Sequence, residues 1–208
     1  MKRWSLFAAM VTLCAGSACL RGATIFSENF DELTPQLGVT SAGLFHAING
    51  TNVDIVGAAN GFGVLCAAPE SGNCLDLDGT NGNSTGQLQS VTAITLSPGI
   101  DYFLSFDLIG SGRGSTTNTL VTFGSYSQTF NLTSGDRTSG IVSNALVTVS
   151  AVTPAFLTFQ SLTAGNIGAV LDNVVITTVP EPATAWLLAP ALLLIPFLRR
   201  LRRPQRDC

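Results

Sequence analysis

Between residues 24 and 178 the chain alternates short β-branched and aromatic runs with clusters of Gly, Asn, Ser and Pro, and no stretch repeats its apolar residues at the helical period. The runs predict strands at 24–30, 52–57, 73–78, 86–96, 101–109, 118–132, 140–150, 154–161 and 169–178. Turns are expected at Asn49-Gly50, Asn60-Gly61, Gly79-Thr80-Asn81-Gly82 and Ser134-Gly135-Asp136, because these residues tolerate left-handed backbone or bond their own main chain. The run 101–109 alternates most plainly, with Tyr102, Leu104, Phe106 and Leu108 on one face and Ser105 and Asp107 on the other. Many short strands without intervening helices predict an all-β fold, two antiparallel sheets packed as a jelly-roll sandwich. The 155 residues of 24–178 are enough for one domain with its own core.

The two ends follow other patterns. Residues 1–23 begin with Lys2 and Arg3, continue through an apolar stretch and reach small residues at Ala15-Gly16-Ser17-Ala18, as a secretory signal peptide does. Cleavage is expected after Ala18 or Ala23; lipidation at Cys19 would need a leucine where Gly16 stands. Residues 179–208 open on Pro180-Glu181-Pro182. Sixteen uncharged residues follow, Ala183 to Leu198, and then Arg199, Arg200, Arg202 and Arg203. As a helix the apolar run would span roughly 24 Å, a short membrane stop with its arginines on the cytoplasmic side. Pro190 and Pro196 would kink it.

Setting the ends aside changes the charge. The whole chain carries −3, but between residues 24 and 178 only Arg113 and Arg137 stand against eleven Asp and Glu, a net of −9. Such a body repels a phosphate backbone, which excludes nucleic acid as a partner. The same region keeps two cysteines, Cys66 and Cys74, an even pair in a chain read as exported, and they are expected to form a disulfide. Closing that short loop should stabilise the fold by roughly 2.5 kcal/mol.

The C-terminal order of Pro180-Glu181-Pro182, apolar helix and arginine cluster resembles the PEP-CTERM sorting tail of bacterial exported proteins. The resemblance implies processing by a membrane exosortase, after signal peptidase and the export translocon have acted, and delivery to the cell surface or extracellular matrix. The body is similar to galactose-binding-like or carbohydrate-binding-module jelly rolls. It has an opening Glu28-Asn29-Phe30-Asp31, a middle Cys74-Leu75-Asp76-Leu77-Asp78-Gly79, then Tyr102 to Asp107, and a closing Leu171-Asp172-Asn173-Val174. That likeness implies a noncatalytic protein of the exopolysaccharide or biofilm matrix, with carbohydrate binding as its sharper form. A structural matrix protein without a ligand and a glycoside hydrolase are the alternatives. The sugar reading is weakened by aromatics: both tryptophans, Trp4 and Trp186, fall in the ends, and the phenylalanines are expected in the core.

Candidate chemistry is sparse. In Val170-x-Asp172-x-Val174-x-Ile176 an aspartate shares a strand face with three apolar residues, so a core-facing carboxylate is expected, costly unless it is paired or metal-bound. First and last strands often lie side by side, which would bring Glu28 or Asp31 near. A structural Ca²⁺ held by Asp172, Glu28 and backbone carbonyls is the expectation. Asp76, Asp78, Thr80, Asn81 and Asn83 crowd oxygens into a turn but fail the EF-hand spacing. Gly82-Asn83-Ser84-Thr85-Gly86 matches a nucleophile elbow, yet the sole histidine, His46, precedes it and no helix follows. Gly110-Ser111-Gly112-Arg113-Gly114-Ser115 reads as a loop with Arg113 at its tip, lacking the spacing and the helix a phosphate site needs.

Overall fold

The computed structural model describes residues 22–66, 72–81, 85–137 and 141–179. The signal segment, the sorting motif Pro180-Glu181-Pro182, the apolar run and the arginine cluster lie outside the described residues, as does most of the Gly82–Gly86 motif.

The described residues are all-β, apart from two 3-10 turns at Ala58–Asn60 and Gly63–Leu65. The strands are β1 (Ala23–Glu28), β2 (Gln36–Val39), β3 (Ser41–Ala42), β4 (Phe45–Ala47), β5 (Val53–Val56), β6 (Cys74–Asp76), β7 (Gln87–Ser90) and β8 (Ile94–Leu96). They continue with β9 (Asp101–Ile109), β10 (Thr117–Phe123), β11 (Tyr126–Leu132), β12 (Ile141–Val147), β13 (Thr153–Ala155), β14 (Thr158–Ser161) and β15 (Val170–Val179). One sheet runs β12-β9-β15-β6-β5-β2, with β1 also on β15; the second runs β11-β10-β14-β7-β4-β3; β8 and β13 form a small third pair. All pairings are antiparallel.

The two large sheets pack face to face as a β-sandwich, and the alternation in the sequence says why. In β9, Tyr102, Leu104, Phe106 and Leu108 point inward; in β10, Val121 and Phe123 do; in β14, Phe159 does. Edge-to-face rings tie the layers together: Phe106 of the first sheet meets Phe159 of the second at 5.1 Å between centroids, and Phe26 meets Phe45 at 5.3 Å. Such pairs add about 0.5–1.5 kcal/mol beyond burial. First and last strands are neighbours as expected, with Phe26 opposite Ile176 and Glu28 opposite Val174.

Three of the expected strands are broken. The run 118–132 is a hairpin, β10 and β11, turning on Gly124 at φ 56°, a backbone conformation that favours glycine. The run 86–96 stops at Ser90 and resumes at Ile94; the Ser90 hydroxyl accepts the Leu157 N–H and donates to the Thr92 carbonyl, taking the bonds a straight ladder would have made. The partner run 154–161 divides at the same level, between Ala155 and Thr158. Strands β2, β3 and β4 were not expected, since each is four residues or shorter and carries no sustained alternation.

Candidate functional site

Asp172 does not face the core, contrary to the expectation from its spacing. Asn173 adopts φ 49° and the β15–β9 register slips between Asp172 and Val175, so one extra residue reverses the facing of everything before it. Leu171, Val174 and Ile176 belong to the main core, whereas Val170 packs outside with Ile109 and Cys74. Asp172 therefore joins Val170 on the outer face of the first sheet, opposite Asp107, whose carboxylate accepts the Asn173 side-chain amide at 2.9 Å. Glu28 is occupied elsewhere: its two oxygens accept the backbone N–H groups of Phe30 (2.9 Å) and Leu44 (2.8 Å). Among the described residues no three acidic, His or Cys side chains gather as a metal would need. Cys66 and Cys74 are disulfide-bonded.

The outer face of the first sheet holds the chain's acidic constellation. Asp54 and Asp76 stand opposite each other on β5 and β6. Asp76 is 1% exposed; one oxygen accepts the N–H groups of Asp78 (3.1 Å) and Gly168 (2.9 Å), and the other pairs with the Arg113 guanidinium. Burial outweighs these favourable contacts and pushes the Asp76 carboxyl up to about 6. Asp78 is also raised by burial, although Gly86 N–H and Ser161 hydroxyl donate to it. Asp54 accepts Gly38 N–H, Thr80 N–H and the Thr80 hydroxyl. Of the oxygens read as a calcium-like turn, those of Asp76, Asp78 and Thr80 are thus engaged with backbone amides, hydroxyls, Arg113 or Asp54, and Asn83 lies outside the described residues. Beside them Arg137 donates to the carbonyls of Gly110, Val64, Leu65 and Cys66, holding the segment that leads into the disulfide.

The outer face of the second sheet is built differently. Cross-strand register aligns Ser127, Thr122, Thr158, Gln89, His46 and Ser41 in one row over all six strands. A second row holds Thr129, Leu120, Gln160 and Gln87, and a third Asn131 and Asn118. The alternate residues, among them Val121, Phe123, Phe159, Leu88 and Phe45, fill the core, which forces this polar set outward. Every member of the rows is partly or fully exposed, and none is Asp, Glu, Lys or Arg. Thr122 and Thr158 hydroxyls lie 2.5 Å apart, and Gln87 accepts the Asn49 amide at 2.6 Å.

At one end the rows meet apolar side chains. Val91 N–H donates to the Leu44 carbonyl and Ser90 N–H to the Leu157 carbonyl, carrying the ladder one step past Gln89. Leu44 and Val91 consequently stand side by side, 46% and 51% exposed, and Phe156, two residues before Thr158, is 43% exposed. Phe156 is a phenylalanine outside the core, against expectation. Its signal was present in the sequence, since Leu157 and Phe159 claim the inward phase and leave Phe156 out of it.

No family model matches the chain, and no curated protein matches it. Among solved structures it is similar to the CBM22-1–GH10 modules of Clostridium thermocellum xylanase 10B complexed with xylohexaose, at 13% identity and TM-score 0.46. That match covers 74% of this chain and only 28% of the xylanase chain. The CBM22-1 xylan-binding domain of Paenibacillus barcinonensis Xyn10C is similar at 14% identity and TM-score 0.42, over 77% of this chain and 97% of that one. So is the Stig cyclase Fisc from Fischerella sp. TAU, at 15% identity and TM-score 0.47, over 77% of this chain and 99% of that one.

Proposed function

We propose that this chain is an exported, noncatalytic β-sandwich of jelly-roll type that binds neutral polysaccharide on the outer face of its second sheet. One observation carries the reading: an acidic body presents a broad face of amides and hydroxyls, in register over six strands, with no Asp, Glu, Lys or Arg in its rows. Sugar hydroxyls are donors and acceptors at once, and side-chain amides and hydroxyls answer both. A charged polymer would find nothing to pair with there. The carboxylates whose pKa is raised, Asp76 and Asp78, are buried and bonded to the backbone, which disfavours the solvent-facing acid pair of a glycosidase. Export by the 1–23 signal, and exosortase processing at Pro180-Glu181-Pro182, would set the domain in the extracellular matrix; the order of motifs at the C-terminal end supports this part.

Affinity electrophoresis through gels containing neutral or uronate-rich polysaccharides tests the assignment. Retardation is expected in neutral gels, and Gln89→Ala with Gln160→Ala should weaken it about tenfold, two hydrogen bonds at about 0.5–1.5 kcal/mol each. Equal migration in every gel would remove the reading.

A further inference from the structure

The apolar end of the second sheet is continuous with a groove that the polar rows do not use. Leu44 and Val91 form one wall and Ile25 and Phe26 the other, with Thr24 and Thr92 at the rim; the groove encloses about 530 Å³. Ile25 is pushed outward where the β1–β15 register slips between Thr24 and Phe26. None of the residues lining the groove is charged. The nearest carboxylate, that of Glu28, lies so close to Gly43 that a Cβ there would collide with it. Two residues along a strand separate Gln89 and His46 from Val91 and Leu44, roughly 7 Å. One sugar ring with a short substituent bridges that distance.

We propose that the groove is an acyl subsite: the polysaccharide held on the polar rows carries acetyl groups, and their methyl ends enter between Leu44, Val91 and Ile25. This rests on the glycan reading of the second sheet and narrows its ligand to acetylated neutral polysaccharides. Charge complementarity favours that occupant. An uncharged groove backed by the Glu28 carboxylate rejects uronates and phosphates, and an acetyl ester is neutral. A fully hydroxylated sugar would leave the leucine and valine in contact with unpaired hydroxyls, whereas burying one methyl group against them is worth about tenfold in affinity.

The test uses the mature exported protein with partially acetylated xylan and glucomannan, each before and after alkaline deacetylation, in titration calorimetry. Wild-type protein is expected to bind an acetylated form about tenfold more tightly than its deacetylated counterpart. Leu44→Asn with Val91→Asn should abolish that difference while keeping the weaker affinity and the melting temperature. Gln89→Ala should weaken both forms together. Equal binding of acetylated and deacetylated polymer, with Gln89→Ala still weakening both, would overturn the acyl subsite and leave the polar face standing. Absence of binding to all four polymers would overturn the subsite and would count against the neutral-glycan reading with it.

Discussion

The outer faces of the two sheets began from the same alternation and ended with opposite chemistry. On the first sheet, Asp54, Asp76, Asp107 and Asp172 all point away from the core, yet the loops carrying Arg113 and Gly168 close over part of that face. Its carboxylates act as fasteners, each oxygen of Asp76 holding a different loop. On the second sheet the outward residues are amides and hydroxyls that solvent still reaches. Charge placed on a sheet's outer side was here consumed in holding loops, and the face free for a ligand is the uncharged one. Position outside the core therefore does not mark a functional residue; what its polar atoms already bond to does.

The sharpest way to break the contrast is to free one fastener. Arg113→Ala leaves Asp76 buried without its counter-ion and should cost about 2–4 kcal/mol at pH 7, the figure being lowered because the arginine is partly exposed. The loss should shrink as pH falls and the carboxyl protonates. In the wild type, Asp76 has a folded pKa of about 6 against 3.8 unfolded. A raised carboxyl contributes stability that is complete below the unfolded value and disappears as pH rises through the folded one. Its share, up to roughly 3 kcal/mol, should appear as a higher melting temperature near pH 4 than near pH 7. Asp78 adds in the same direction. An Arg113→Ala penalty identical at pH 4.5 and pH 7.5 would show that Asp76 is not the group being held.

A smaller effect belongs to the disulfide. Replacing Cys66 and Cys74 together by alanine should cost about 2.5 kcal/mol in chemical denaturation. Arg137 still grips the carbonyls of Leu65 and Cys66, so the segment leading into the bridge should stay in place and glycan binding on the opposite sheet should be unchanged. Loss of binding in that variant would deny the independence of the two faces.

How far the sequence foretold this arrangement depends on the length scale of the signal. The alternation of Tyr102 to Leu108 was sufficient to place β9, and two cysteines in an exported body were sufficient to pair them, because each signal is complete within a few residues. Asp172 was misread because its facing depends on one left-handed residue, Asn173, and nothing in Leu171-Asp172-Asn173-Val174 requires that conformation of it. The polar rows were legible in part: Gln87-x-Gln89, Asn118-x-Leu120-x-Thr122 and Thr158-x-Gln160 all lack charge in a body rich in acid. Their adjacency was not legible, since strand order joins residues as distant in sequence as Gln87 and Gln160.

The least disturbing change sharpens the comparison most. Gln89→Ala with Gln160→Ala removes two partly exposed amides from the second sheet, and neither is among the carboxylate fasteners of the first. Surface replacements of this kind stay within about 0.5 kcal/mol. Their melting curve should therefore overlay that of the wild type, in contrast to Arg113→Ala. If instead the double variant melts as low as Arg113→Ala does, the rows are structural ladders like the acidic face, and the distinction between a fastened face and an open one fails. An unchanged melt together with lost retention in neutral gels is the combination that a ligand-facing surface requires, because binding then depends on groups that folding does not need.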